Sequence, residues 1–169
     1  MHHYEELFTD PSGQAARFAA MWRQIGERFK NAPPSVSFEL INEPHDKFGV
    51  DNLLAVQGPA LAEVRRSNPT RTVVIDGPAW SGLNEMLTSP FPDDAYTVPT
   101  FHYYSPVNFG LDKADWMNPP VRNDFGTEAD FAEITRDLAK VTADIARTGR
   151  VPFVGEYGAY ERRPLAERN

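Results

Sequence analysis

The chain has 169 residues, 41% of them hydrophobic and 24% charged, and 17 basic side chains stand against 24 acidic ones for a formal net charge of −7. Acids and bases are interspersed, so no basic patch is offered to nucleic acid or an anionic membrane, and no apolar run approaches the roughly 18 residues of a membrane span. The chain contains no cysteine, which excludes a disulfide framework, a thiol nucleophile and a thiolate metal site.

In chain order, Met1 to Glu6 lacks the apolar stretch of a secretory signal. Ser12 to Lys30 is predicted to be a helix capped by Ser12, with Phe18, Met21, Trp22, Ile25 and Phe29 on a packing face. Pro33-Pro34 stops it, and Val36 to Ile41 follows as a β-prone run ending in Asn42-Glu43-Pro44. Asp51 to Arg66 returns to helical spacing through Leu54, Leu61 and Val64. Thr72 to Ile75 is the second strand, closed by Asp76-Gly77-Pro78, and a short helix is expected around Gly82 to Leu87. Tyr96 to Tyr104 makes a third strand, interrupted at Pro99, before an irregular stretch from Ser105 to Asp124. Glu128 to Arg147 is the best helix of the chain, its apolar stripe Phe131, Ile134, Leu138, Val141 and Ile145 reading as core. Gly149 supplies its C-cap, and Val151 to Val154 is the fourth strand.

Helix and strand alternate four times through linkers that do not suit antiparallel hairpins, which predicts βα units on a parallel sheet. The strands are short apolar runs, as expected where both sheet faces are covered. One incomplete domain over residues 1–169 is expected, because a full eight-unit barrel needs about 200 residues or more. The chain opens where a strand would be finishing and stops where a helix would be starting, so it reads as an excised piece.

In parallel βα architectures the functional groups gather past the carboxyl ends of the strands. Those positions hold His2-His3, Asn42-Glu43, Asp76 to Trp80, His102 with Tyr104, and Glu156. Two carboxylates on different strand ends can flank a glycosidic bond, one protonated to serve the leaving oxygen and one ionised to attack the anomeric carbon. Asn42 can hydrogen-bond a sugar 2-hydroxyl, and Tyr104 can orient a carboxylate through its phenol. Trp80 and Trp116 are either stacking platforms for a pyranose ring or loop anchors, whereas Trp22 reads as packing. The four histidines lack His-Glu-x-x-His spacing, so a metal is not expected.

Leu40-Ile-Asn-Glu-Pro44, Phe101-His-Tyr-Tyr-Ser-Pro106 and Val154-Gly-Glu-Tyr-Gly158 together resemble three strand ends of glycoside hydrolase family 5. His2-His3-Tyr4-Glu5 resembles the end of that family's third strand, with His2 matching an active-site histidine. The resemblance implies a partial (β/α)8 TIM barrel, α/β in class, running from the end of strand three through strand seven with about four parallel strands. It implies Glu43 as acid/base and Glu156 as nucleophile of a retaining endo-β-1,4-glucanase (a cellulase), with His2, Asn42, Trp80, His102, Tyr104 and Trp116 as substrate-binding residues. It also suggests an exported, secreted or periplasmic enzyme that uses neither a metal nor an organic cofactor. The family's early arginine and its tryptophan ending strand eight have no counterpart here, so the isolated chain is expected to be inactive. Rival readings are a non-catalytic carbohydrate-binding or assembly half-barrel, and the same mechanism on mannan, xylan or mixed-linkage glucan. The unpaired sheet edges are expected to recruit a second copy or a complementing chain.

Overall fold

A computed structural model describes residues 4–111, 114, 116, 122, 124–160 and 166. In chain order the elements are α1 (Tyr4–Thr9), α2 (Pro11–Arg28), β1 (Phe38–Glu39), α3 (Leu53–Ser67), β2 (Val73–Asp76), the turn α4 (Pro78–Ser81), α5 (Leu83–Thr88), β3 (Thr97–Tyr103), the turn α6 (Val107–Gly110), α7 (Glu128–Thr148) and β4 (Phe153–Tyr157). The four strands form one sheet in the order β1-β2-β3-β4. β1 pairs in parallel with β2, Phe38 opposite Val73, and β2 pairs in parallel with β3 from Val73 opposite Thr97 to Asp76 opposite Thr100. This is the predicted partial TIM barrel, strands in chain order with a helical crossover between neighbours. The chain divides into two compact units, residues 1–101 with 150–153 and residues 102–149 with 154–169.

The first unit carries the main core. Phe18 and Trp22 of α2, Leu53, Val56 and Val64 of α3, and Val73 and Ile75 of β2 are buried together. The Trp22 indole N–H donates to the Leu40 carbonyl at 3.0 Å, which satisfies the polar edge of a buried ring and confirms the packing role. Gly26 lets α2 approach α3 closely: a Cβ there would lie 3.0 Å from Ser67 Oγ, and the Asn68 amide donates to the Gly26 carbonyl at 2.8 Å.

The strand-end reading of residues 2–5 falls mostly outside the described residues, and from Tyr4 the chain is helical through Thr9, burying Leu7 and Phe8. Asp10, not Ser12, caps α2, accepting from the Gly13 N–H at 3.2 Å with Pro11 in the first turn. β1 is two residues rather than a run from Val36 to Ile41. Before Phe38, the Pro33 and Val36 carbonyls are occupied by the Arg71 guanidinium at 2.7 and 2.8 Å, so that backbone is committed to a loop. β3 is not interrupted at Pro99, which sits in register opposite Ile75. The Tyr96 carbonyl accepts the Val73 N–H at 2.9 Å, so even-numbered residues face β2 and Pro99 turns its missing donor away from that ladder.

In the second unit, α7 begins at a capping box between Thr127 and Asp130 and ends at Gly149, whose φ of +70° is left-handed as its C-cap role requires. Asp130 is nearly fully buried and ion-paired with Arg122 at 2.6 Å, and that guanidinium holds its carboxyl down to about 2. The apolar stripe of α7 departs from its reading as core: Phe131 and Leu138 are each 56% exposed, and of the stripe only Val141 is buried. Periodicity places these side chains on one face, but β4 is an outer strand of the sheet, with Val154 itself exposed, so among the described residues little covers that face. Leu138→Glu is accordingly expected to leave the melting temperature within about 2 °C, as surface substitutions do. A drop beyond about 8 °C by scanning calorimetry, more than a kcal/mol-scale surface effect gives, would restore the core reading.

Candidate active site

The strand ends of the first unit carry a loop pair held in strained backbone. Past β1, Asn42 is exposed and Glu43 is half-buried with φ of +49°, a left-handed conformation that is costly for any residue with a Cβ. Its carbonyl lies 2.8 Å from His45 Nδ1, and since a carbonyl oxygen only accepts, that nitrogen must carry the proton. Past β2, Ala79, Trp80 and Ser81 are also left-handed, with φ of 54°, 56° and 56°. The Trp80 N–H donates to the Pro44 carbonyl at 3.1 Å, tying the second loop to the first. Trp80 leaves 57% of its surface exposed, and its ring stacks on His45 at 5.2 Å with planes 10° apart.

Asp76 closes β2 in complete burial. The Ser81 hydroxyl donates to its Oδ1, and the Gln57 amide donates to its backbone carbonyl at 2.8 Å. Burial pushes the Asp76 carboxyl up to about 8, against the downward pull of the Ser81 hydroxyl. The charge of Glu39 raises it further, and the Glu43 backbone N–H favours the ionised form. Oδ2 makes no hydrogen bond of good geometry among the described residues. At neutral pH Asp76 is thus an uncharged acid lying beneath the Glu43 loop.

The second unit assembles the other carboxylate. Glu156 lies on β4 and remains partly open to solvent, its side chain 40% exposed. The Tyr104 phenol donates to Glu156 Oε2 at 2.8 Å, whereas His102 Nδ1 stands 3.6 Å from the same oxygen, beyond a hydrogen bond. The phenol rather than the imidazole therefore fixes this carboxylate, and its free face can approach an electrophile. Trp116 is 69% exposed and meets Tyr160 edge-on at 5.2 Å, while the Tyr160 N–H donates to the Gly110 carbonyl at 2.7 Å.

Of the residues singled out in the sequence, His102, Tyr104 and Glu156 come together in the second unit, and Asn42, Glu43 and Trp80 lie on adjoining loops of the first. Trp116 is exposed on its own segment, and His2 lies outside the described residues. The sequence reading weighs His45, just beyond Glu43, only among the histidines of a metal site, and gives Tyr160 beside Trp116 no role at the site. Their aromatic rings near strand ends were the available signal.

Comparison with known proteins gives a consistent picture. The family model described as cellulase, glycosyl hydrolase family 5, matches residues 1–168. Endoglucanase H of Acetivibrio thermocellus is 34% identical over 158 residues, covering 92% of this chain and 16% of that protein. A solved endoglucanase superposes with a TM-score of 0.91 at 31% identity, over 99% of this chain and 55% of that one. Thermotoga maritima Cel5A, solved with mannotriose and with cellobiose, gives a TM-score of 0.91 at 28% identity over 99% of this chain and 56% of its own. The chain thus spans about half the length of these solved neighbours.

Proposed function

Since the chain belongs to the cellulase family, glycosyl hydrolase family 5, we propose that it supplies both working carboxylates of a retaining β-1,4-glucanase. Glu156 attacks the anomeric carbon and forms a glycosyl-enzyme ester while the C1–O bond breaks. Glu43 gives its proton to the departing oxygen, then takes one from the water that hydrolyses the ester. Asn42, exposed beside Glu43, donates to the sugar 2-hydroxyl, and Trp80 and Trp116 offer apolar faces to pyranose rings. The observation that carries this reading is the Tyr104–Glu156 hydrogen bond, which holds an accessible carboxylate in one orientation as a nucleophile requires.

The test is reducing-sugar release from soluble β-glucan, with Glu156→Gln in parallel, and mass spectrometry after incubation with a 2-fluoro-cellobioside. Release that vanishes in the variant, with the fluoro-sugar ester on the Glu156 peptide, supports the proposal and overturns the expectation that the isolated chain is inactive. Glucan binding that is indifferent to Glu156→Gln, with no ester formed, favours a carbohydrate-binding module instead. Tyr104→Phe is expected to lower kcat/KM by about tenfold or more, the worth of a hydrogen bond to a charged group. Retained rates in that variant would show that the phenol is not what orients Glu156.

A specific observation favours β-mannan as a second substrate, because the Thermotoga relative is described with mannotriose as well as cellobiose. Relative kcat/KM on glucan and mannan decides between them. The partner follows from the sheet. Among the described residues β1 and β4 are its outer strands, and a second copy pairing with them would satisfy the backbone groups of those edges. Sedimentation is expected to show a species of twice 19.0 kDa, and a monomer alone at high concentration would overturn it.

A further inference from the structure

We propose that His45 is a positioning residue that locks the Glu43 backbone and the Trp80 ring into one unit, so that the proton donor and a sugar platform are set together. The proposal rests on the functional reading above, in which Glu43 is the acid/base and Trp80 a stacking face.

Its basis is that one side chain serves both loops through different parts of its ring. The imidazole Nδ1–H donates to the Glu43 carbonyl at 2.8 Å. The flat face of the same ring lies on the Trp80 indole at 5.2 Å and 10°. The buried Phe8 ring, 4.1 Å away and tilted by 41°, backs the imidazole from α1. A third link, from the Trp80 N–H to the Pro44 carbonyl at 3.1 Å, joins the same two loops through backbone alone.

The backbone explains why such a clamp is needed. Glu43, Asp46, Ala79, Trp80 and Ser81 all have φ between 49° and 56°, and none is glycine. A left-handed conformation is costly for a residue with a Cβ, and conformations of this kind persist only where surrounding contacts over-determine them. Ser81 is held by its bond to Asp76, and the Gly82 N–H closes on the Ala79 carbonyl at 3.2 Å. Glu43 and Trp80 are the two strained residues whose side chains carry function, and His45 touches both. An ordinary packing histidine would need only the Phe8 contact. This one is still 27% exposed at the side chain and directs its polar atom to the acid/base residue's own carbonyl.

The two halves of the clamp can be removed separately in the full chain. His45→Phe keeps an aromatic ring between Phe8 and Trp80 but deletes the donor to Glu43. His45→Asn keeps an N–H near the Nδ1 position but deletes the stack. Acrylamide quenching of Trp80, isolated as the difference from a Trp80→Phe chain, reads the platform without needing any turnover. His45→Asn is expected to raise that quenching constant about twofold, and His45→Phe to leave it unchanged. On cellotetraose, His45→Asn is expected to raise KM with kcat nearly kept. His45→Phe is expected to lower kcat with KM nearly kept, by roughly ten- to a hundredfold as small misplacements of a reacting group do. Equal losses in both variants, or unchanged quenching in His45→Asn, would overturn the proposal and leave His45 a packing residue. If the unsubstituted chain neither binds nor cleaves cellotetraose, the functional reading fails by itself, and the quenching comparison still decides whether His45 positions Trp80.

Discussion

Removing the Glu43 carboxyl as Glu43→Ala is expected to lower kcat/KM on a soluble β-glucan by on the order of 10²–10⁴, the worth of a positioned general acid. The same variant should lose much less in forming the glycosyl-enzyme from a dinitrophenyl cellobioside, whose leaving group departs without a proton. Its second step then stalls for want of a base to activate water, and added azide should restore turnover by attacking the ester in water's place. Because azide displaces a glycosyl-enzyme formed with inversion, the product from Glu43→Ala should be the β-glycosyl azide. Glu156→Ala opens the opposite face and should give the α-azide by direct displacement. NMR of the product anomer therefore assigns the two roles independently of rate, and exchanged anomers would reverse the assignment of Glu43 and Glu156. Alanine retains a Cβ at φ of +49°, and the Glu43 carbonyl that accepts from His45 is untouched, so the variant removes the acid without relaxing the loop.

The strand ends are legible because parallel βα units place function past carboxyl ends, and three of the sequence's strand-end motifs sit on β1, β3 and β4 or immediately past them. What periodicity reports is which side chains share a face, not what covers the face. Phe131 and Leu138 share the α7 stripe as predicted yet are exposed, because burial depends on what packs against the face, which no pattern within residues 128–148 encodes. The sequence reading names no helix over Tyr4–Thr9, because its 6 residues are too few for periodicity to show, although Thr9 Oγ1 returns to the Glu5 carbonyl at 3.0 Å. His45 and Trp80 lie far apart in sequence, and only the left-handed turns at both loops bring their rings together. The hydrogen bond between Tyr104 and Glu156 could be anticipated because a phenol at one strand end faces few other uses. The protonation of Asp76 could not, since Asp76 reads as an ordinary charged residue until β2 is seen buried along its whole length.

That buried acid should make the chain lose stability as pH rises from about 4 to about 8. The folded carboxyl of Asp76 keeps its proton to about 8, whereas the unfolded one releases it near its ordinary value of 3.8. Across that window the native state binds the extra proton, so stability falls with rising pH. Below it both states are protonated, and above it both are ionised with the full penalty present. Asp130, held to about 2, is ionised in both states through most of the window and contributes a nearly constant amount there. Asp76→Asn removes the titration while keeping an acceptor for the Ser81 hydroxyl and the backbone carbonyl for Gln57. Its melting temperature should match the parent's within about 2 °C near pH 4.5 and exceed it by about 5–10 °C at pH 8.5, equivalent to a few kcal/mol. Glu39→Gln, which removes the neighbouring charge, should move the parent's falling limb to lower pH without abolishing it. Parallel curves for parent and Asp76→Asn across the range would mean that Asp76 ionises at the same pH folded as unfolded, and that the Glu43 loop rests on a carboxylate rather than on a neutral acid.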